Sequence, residues 1–130
     1  MPKVLVSDDL APQGLEVLRQ ARGIELIEKP GLSVGELLEI IPEIDGLVIR
    51  SGTKVTADVI EAATNLRVVG RAGIGVDNID VRAATARGIA VLNTPDGNAI
   101  TTAEHAIALL VSLARHIPQA TASMKAGKWE

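Results

Sequence analysis

Five short aliphatic runs recur along the chain, each followed by a stretch with helical spacing, and this alternation restricts the fold more than any single motif. Val4-Leu5-Val6 and Leu47-Val48-Ile49 are continuous apolar runs, the mark of strands buried on both faces of a parallel sheet. Ile24–Glu28 alternates with charge and reads as a more exposed edge strand. Runs opening at Val68 and Ile89 complete the five. The segments between them carry helix punctuation. Pro12 fits a first turn, with Leu15, Leu18 and Ala21 inward and Gly23 as the stop. Ser33-Val34-Gly35-Glu36 is a capping box before Leu37, Leu38, Ile40 and Ile41, ended by Pro42. Thr56 caps a helix carrying Val59, Ile60 and Ala63, and Asp80–Arg87 is closed by Gly88. Five βα units in series predict an α/β fold: a parallel five-stranded sheet with helices on both faces, in the flavodoxin-like order 2-1-3-4-5.

That topology locates function. In an open parallel sheet, ligands bind beyond the carboxyl ends of the strands, near the reversal of strand order. The residues delivered there are Asp8 and Asp9, Arg50 and Ser51, the Gly70–Gly75 loop, and Asn93-Thr94. The loop holds Gly70, Gly73 and Gly75 with Arg71 among them, and it runs on to Asp80. Glycines able to take positive φ let successive N–H groups converge on one anion, and the helix opening at Asp80 adds partial positive charge. Gly73-x-Gly75-x-x-Asn78 supplies only two of the three small residues of a dinucleotide fingerprint, so it makes a poor dinucleotide site. A bare glycine loop is equally a tight strand-to-helix turn with no ligand. Arg71 favours an anion, and the physical reading is a small anionic ligand between Arg50 and the loop.

Other chemistry is excluded by what the chain lacks. Trp129 is the one aromatic residue and the net charge is −3, so neither base stacking nor a basic phosphate track is available, and no nucleic-acid partner is expected. Cysteine is absent, which removes disulfides and thiolate catalysis. The apolar run in Met1–Asp9 is too short for a signal peptide and no later run spans a membrane, so the expected location is the cytoplasm, with no membrane partner. No metal site is expected, because no His/Asp/Glu grouping has ligand spacing. His105 and His116 read as helix-surface or end-capping residues. Asp8-Asp9 invites comparison with phospho-receiver domains. Those need an aspartate and a lysine where Arg50 and Asn93 stand, which leaves a solvated strand-end pair or a helix cap.

After Pro95 the character changes. Thr101-Thr102-Ala103-Glu104 offers a second capping box, and the helix from there to about His116 is apolar on nearly every face, so it needs cover from a second domain or another subunit. Ile117-Pro118 breaks it, Gln119–Ala126 begins another helix, and no element completes a second domain before Glu130.

Arg50-Ser51-Gly52-Thr53-Lys54-Val55-Thr56, the Gly70–Asp80 loop, Asn93-Thr94-Pro95 with Asn98 and Ala103-Glu104, and Ile117–Trp129 occur in an order that resembles the N-terminal part of a D-2-hydroxyacid dehydrogenase. The resemblance covers essentially the whole chain. It implies a substrate domain over residues 1–95 and, over 96–130, the start of a Rossmann domain that binds NAD. It further implies that the Ala72, Gly73, Ile74 and Gly75 backbone holds a substrate carboxylate. Arg50, Ser51 and Asn98 would lie at the substrate with Arg71 close by, and Ile74 would adjoin the nicotinamide. The family's catalytic residues would lie beyond Glu130, so none is expected in this chain. Gly52 stands where some members carry a second arginine, which leaves less charge for a substrate phosphate. The corresponding helices of the family make dimer contacts, which implies a homo-oligomer through Thr102–His116. Two functional classes follow: the substrate half of a dehydrogenase, or a stand-alone anion-binding or interaction module without catalysis.

Overall fold

The computed structural model describes residues Met1–Trp129 and divides into two compact units, Met1–Gly97 and the segment from Asn98 onward. The first contains β1 (Lys3–Val6), α1 (Pro12–Gln20), β2 (Glu25–Glu28), α2 (Val34–Ile40), a 3₁₀ turn (Ile41–Glu43), β3 (Gly46–Ile49), α3 (Ala57–Ala62), β4 (Val68–Arg71), α4 (Val81–Ala86) and β5 (Ala90–Leu92). Its five strands are all parallel, in the order β2-β1-β3-β4-β5. The expected order is therefore the observed one. β1 is where the direction of travel reverses, and right-handed crossovers place α1 on the face opposite α2, α3 and α4.

Register decides which side chains become core. Leu5, Leu47 and Val69 are aligned partners across β1, β3 and β4, and all are buried in one cluster with Leu37, Ile41, Val59, Ile60 and Ala84 from the helices. Residues one step along each strand face the other side. There Val4, Val48 and Val68 stay half-buried and Leu92 is exposed, and α1 buries none of its residues completely.

The helix punctuation works largely as the residues suggest. Ser33 and Glu36 form the complete box, with Glu36 N–H donating to Ser33 Oγ at 3.3 Å and Ser33 N–H donating to Glu36 Oε2 at 2.8 Å. Thr56 Oγ1 accepts from Val59 N–H, and Gly23 and Gly88 adopt φ of 87° and 69° where helices stop.

The second unit holds α5 (Ala99–Ala114) and α6 (Ile117–Lys125). The expected capping box at Thr101–Glu104 does not form. α5 begins three residues earlier, so both threonines are helical, and its N-cap Asn98 makes no side-chain capping bond. The helix break also falls earlier than expected: His116 takes φ of 51° between the helices, and Pro118 sits in the first turn of α6, where a missing N–H costs nothing. Among the described residues no helix is long and apolar enough to cross a membrane.

Candidate anion-binding site

Parallel register brings Arg50 and the glycine loop to one edge. Ile49 pairs with Arg71, and Ala72 N–H donates to Ile49 O at 2.8 Å, so the turn after β3 and the loop after β4 leave the sheet side by side. The end of β5 ties the loop from the other side. Asn93 Nδ2 donates to Ile74 O at 2.7 Å and Thr94 N–H to Gly73 O at 2.9 Å.

The loop is a cradle of another kind than its glycines suggest. None of Gly70, Gly73 and Gly75 takes a positive φ; the glycines that do are Gly23, Gly31, Gly88 and Gly127. At Gly75 the requirement is space, because a Cβ there would lie 2.8 Å from Asp77 Oδ1 and 3.0 Å from Arg71 Nη1. The following helix also contributes less than expected. α4 has six residues, and Asp80 Oδ1 already accepts its Ala83 N–H at 2.9 Å, so that terminus faces its own carboxylate. The N–H groups of Ala72 and Gly73 are likewise committed, to Ile49 O and Arg71 O. Those of Ile74 and Gly75 have no protein acceptor among the described residues, and neither do those of Val76, Asp77 and Asn78 further along the loop.

Arg71 closes β4 instead of riding in the loop. Its side chain is 11% exposed and donates from Nη1 to Asp77 Oδ1 at 3.0 Å, while its Nε is buried without a partner. Asp77 is 83% exposed, so the carboxylate end of the pair stands in solvent while the guanidinium end is largely covered.

Arg50 and Ser51 are exposed on the turn after β3, and Arg50 Nη1 donates to Asp9 O at 3.2 Å. Asp8 holds this turn from below: its Oδ2 accepts Arg50 N–H at 2.6 Å and Thr53 N–H at 3.0 Å. Neither aspartate caps α1, whose N-cap is Ala11 without a side-chain bond, so Asp8 serves as a turn clamp instead. A Cβ at Gly52 would fall 2.6 Å from Asp8 Oδ1, which explains the glycine there. Below the turn, buried Ser7 and Thr53 share a hydroxyl hydrogen bond of 2.8 Å. Beside it lies an open hollow of about 590 Å³ lined by Ser51, Lys54, Asp77 and Asn78, and a smaller one of about 220 Å³ touches Arg71, Ala72 and Asn93.

Asn98 belongs to the second unit, where it is exposed with φ of −142° at the start of α5. His105 lies exposed within α5, and His116 is the N-cap residue of α6 with no side-chain capping bond. What sequence reasoning missed is the role of the residues that fix the loops. Asp77 pairs Arg71, the Asn93 amide holds Ile74, and Asn78 Nδ2 donates to Arg50 O at 2.7 Å and Thr53 O at 2.6 Å. A sign of Asn78 was available, since an amide stands in the fingerprint where Gly or Ala would pack.

A parallel 2-1-3-4-5 sheet with two arginines and a glycine loop at its carboxyl edge defines an α/β domain of flavodoxin-like order. The chain belongs to the D-2-hydroxyacid dehydrogenase family: residues 4–127 match the family described as D-isomer specific 2-hydroxyacid dehydrogenase, catalytic domain. A D-3-phosphoglycerate dehydrogenase of Synechocystis is 52% identical over 130 residues, covering 100% of this chain and 23% of that protein. The D-3-phosphoglycerate dehydrogenase of Homo sapiens is 55% identical over 128 residues, covering 98% of this chain and 24% of its own length. The chain thus spans about a quarter of the length of the curated relatives it matches. Among solved structures, NAD⁺-bound 3-phosphoglycerate dehydrogenase of Entamoeba histolytica aligns with a TM-score of 0.74 at 30% identity, over 85% of this chain and 38% of that one.

Proposed function

We propose that residues 1–95 form the substrate-binding domain of an NAD-dependent oxidoreductase that converts D-3-phosphoglycerate to 3-phosphohydroxypyruvate in serine biosynthesis, and that residues 96–130 begin its nucleotide-binding domain. The observation that carries the reading is the pair of uncommitted N–H groups on Ile74 and Gly75, beside Arg50 and Arg71 at the strand ends. The names of the relatives that match the whole chain supply the substrate.

In this proposal the Ile74 and Gly75 amides hold the substrate carboxylate, while Ala72 and Gly73 anchor the loop. Arg50, Ser51 and Arg71 meet the remaining negative charge, and Asn98 contributes a polar contact. Ile74 is 40% exposed with its carbonyl fixed by Asn93, so it offers the apolar surface that a flat nicotinamide ring packs against. Bound there, NAD supplies the acceptor for the hydride that leaves C2. This chain's residues bind and orient the acid. The proton released from the 2-hydroxyl goes to a base outside residues 1–130. The enzyme works in the cytoplasm as a homo-oligomer through the Thr102–His116 helix.

Titration of the chain with 3-phosphoglycerate, followed by amide NMR, tests the site. Ile74 and Gly75 should shift first, and Gly75→Val should abolish the response while the fold persists, because the new side chain pushes apart the flexible ends of Arg71 and Asp77. Still amides at Ile74 and Gly75, with distant ones moving at millimolar ligand, would show the site to be misplaced.

A further inference from the structure

The turn that presents Arg50 is gripped from both sides by complementary groups. Its two N–H groups, from Arg50 and Thr53, converge on Asp8 Oδ2, and the carbonyls of the same two residues converge on Asn78 Nδ2. Asp8 follows β1 and Asn78 belongs to the glycine loop, so the Arg50 turn is fixed to both neighbours of β3. We infer that Asn78 is a positioning residue for Arg50: its amide sets the guanidinium-bearing turn relative to the Ile74 and Gly75 N–H groups. This rests on the anion-binding reading above.

Two features separate this role from ordinary fold support. The segments are already joined beneath Asn78 by buried Val55 and Ile79, whose bridge is closed by Val55 N–H to Asn78 O at 2.8 Å and Asp80 N–H to Val55 O at 2.9 Å. The side-chain amide adds its bonds above that junction, at the level of Arg50. It also does so at a cost, since Asn78 Oδ1 is buried without a partner. Such a cost, accepted while the other end of the amide holds two carbonyls, is characteristic of a site that needs one geometry. The chemistry is directional as well. Two carbonyl oxygens require a donor, so a carboxylate of the same shape would repel both.

Asn78→Asp and Asn78→Ala should therefore free the Arg50–Thr53 turn. Without ligand, the heteronuclear NOE of the Arg50 and Ser51 amides should fall while those of β3 and β4 hold. With 3-phosphoglycerate, affinity should drop about tenfold, on the scale of one misplaced charged hydrogen bond. Arg87→Ala is the control. It removes three guanidinium bonds to the carbonyls of Ile60, Glu61 and Ala63 and so lowers the melting temperature far from the site, with unchanged affinity expected. If Asn78→Asp does not fold, Asp8→Asn loosens the same turn from its other side and should give the same pattern. A rigid Arg50 turn in Asn78→Ala overturns the inference whether or not ligand binds. So does unchanged affinity in that variant, or an equal loss in Arg87→Ala. Absence of binding by the unaltered chain, with the turn loosened in the variants, would instead count against the anion-site reading alone.

Discussion

The two units of this chain use the same aliphatic alphabet to opposite effect. In the first, register collects Leu5, Leu47 and Val69 on one face and helices bring Leu37, Ile41, Val59 and Ile60 down on them, so the cluster is fully buried. In the second, α5 carries Ile107, Leu109, Leu110, Val111 and Leu113, every one of them exposed, and buries none of its residues. Hydrophobic composition is thus no guide to a core. A core needs a geometry that gathers apolar side chains on one side, and a helix apolar all round gathers nothing by itself.

The largest expected effect sets one substitution in each unit against the other. Leu47→Ala removes a side chain that is 1% exposed and should cost about 2–5 kcal/mol, whereas Leu113→Ala acts on one that is 69% exposed and should cost less than about 0.5 kcal/mol in a dilute sample. Urea unfolding of both variants at low concentration checks this. Comparable losses would mean that α5 is covered in solution, and the contrast between the units would fail.

A smaller effect sharpens the same contrast at high concentration. If α5 pairs with a second copy, each large aliphatic side chain removed from water contributes roughly 1.5–3 kcal/mol, and a twofold interface lets one apolar patch cover its twin. Light scattering across a dilution series should show a dimer that dissociates, and Leu110→Lys should hold the chain monomeric at every concentration. A unaltered chain that stays monomeric, with Leu110→Lys changing neither mass nor melting temperature, would remove α5 as the contact.

The fold was legible because short apolar runs and helix caps are local signals, and five in series admit few topologies. The anion site was legible in part. Arg50, Arg71 and the loop announce themselves by residue type, but which N–H groups remain free depends on pairings such as Ala72 with Ile49, which register alone decides. The glycines misled for a related reason: at Gly75 the need is room for the Arg71–Asp77 pair, and no sequence pattern distinguishes room from positive φ. The starting point of α5 was missed because Thr101 and Glu104 have the right spacing, yet the chain is already helical from Ala99.

The smallest effect contrasts those two helix starts. α2 opens on a complete box, whereas α5 opens on Asn98 with no side-chain bond. The Ser33 hydroxyl, donating to Glu36 Oε2 at 2.6 Å, and then the Ser33 N–H hold the Glu36 carboxyl below its ordinary value of 4.5. A carboxyl whose folded value is lowered binds fewer protons in the native state than in the unfolded one. Its contribution is therefore complete above the ordinary value and fades as pH falls through the folded value. Glu28 beside Arg19 and Glu43 beside Lys3 are lowered too, so the unaltered chain should lose stability on acidification through several groups. Glu36→Gln can still accept the Ser33 N–H but cannot titrate. Its urea midpoint should lie slightly below that of the unaltered chain at about pH 6, and the gap should close towards about pH 3 as the carboxyl takes up its proton. Because Glu36 is exposed the difference is small, and raising the salt should leave most of it, since the first cause is a hydrogen bond instead of a distant charge. A gap that stays constant across that range would mean the box stabilises α2 without the carboxylate's charge.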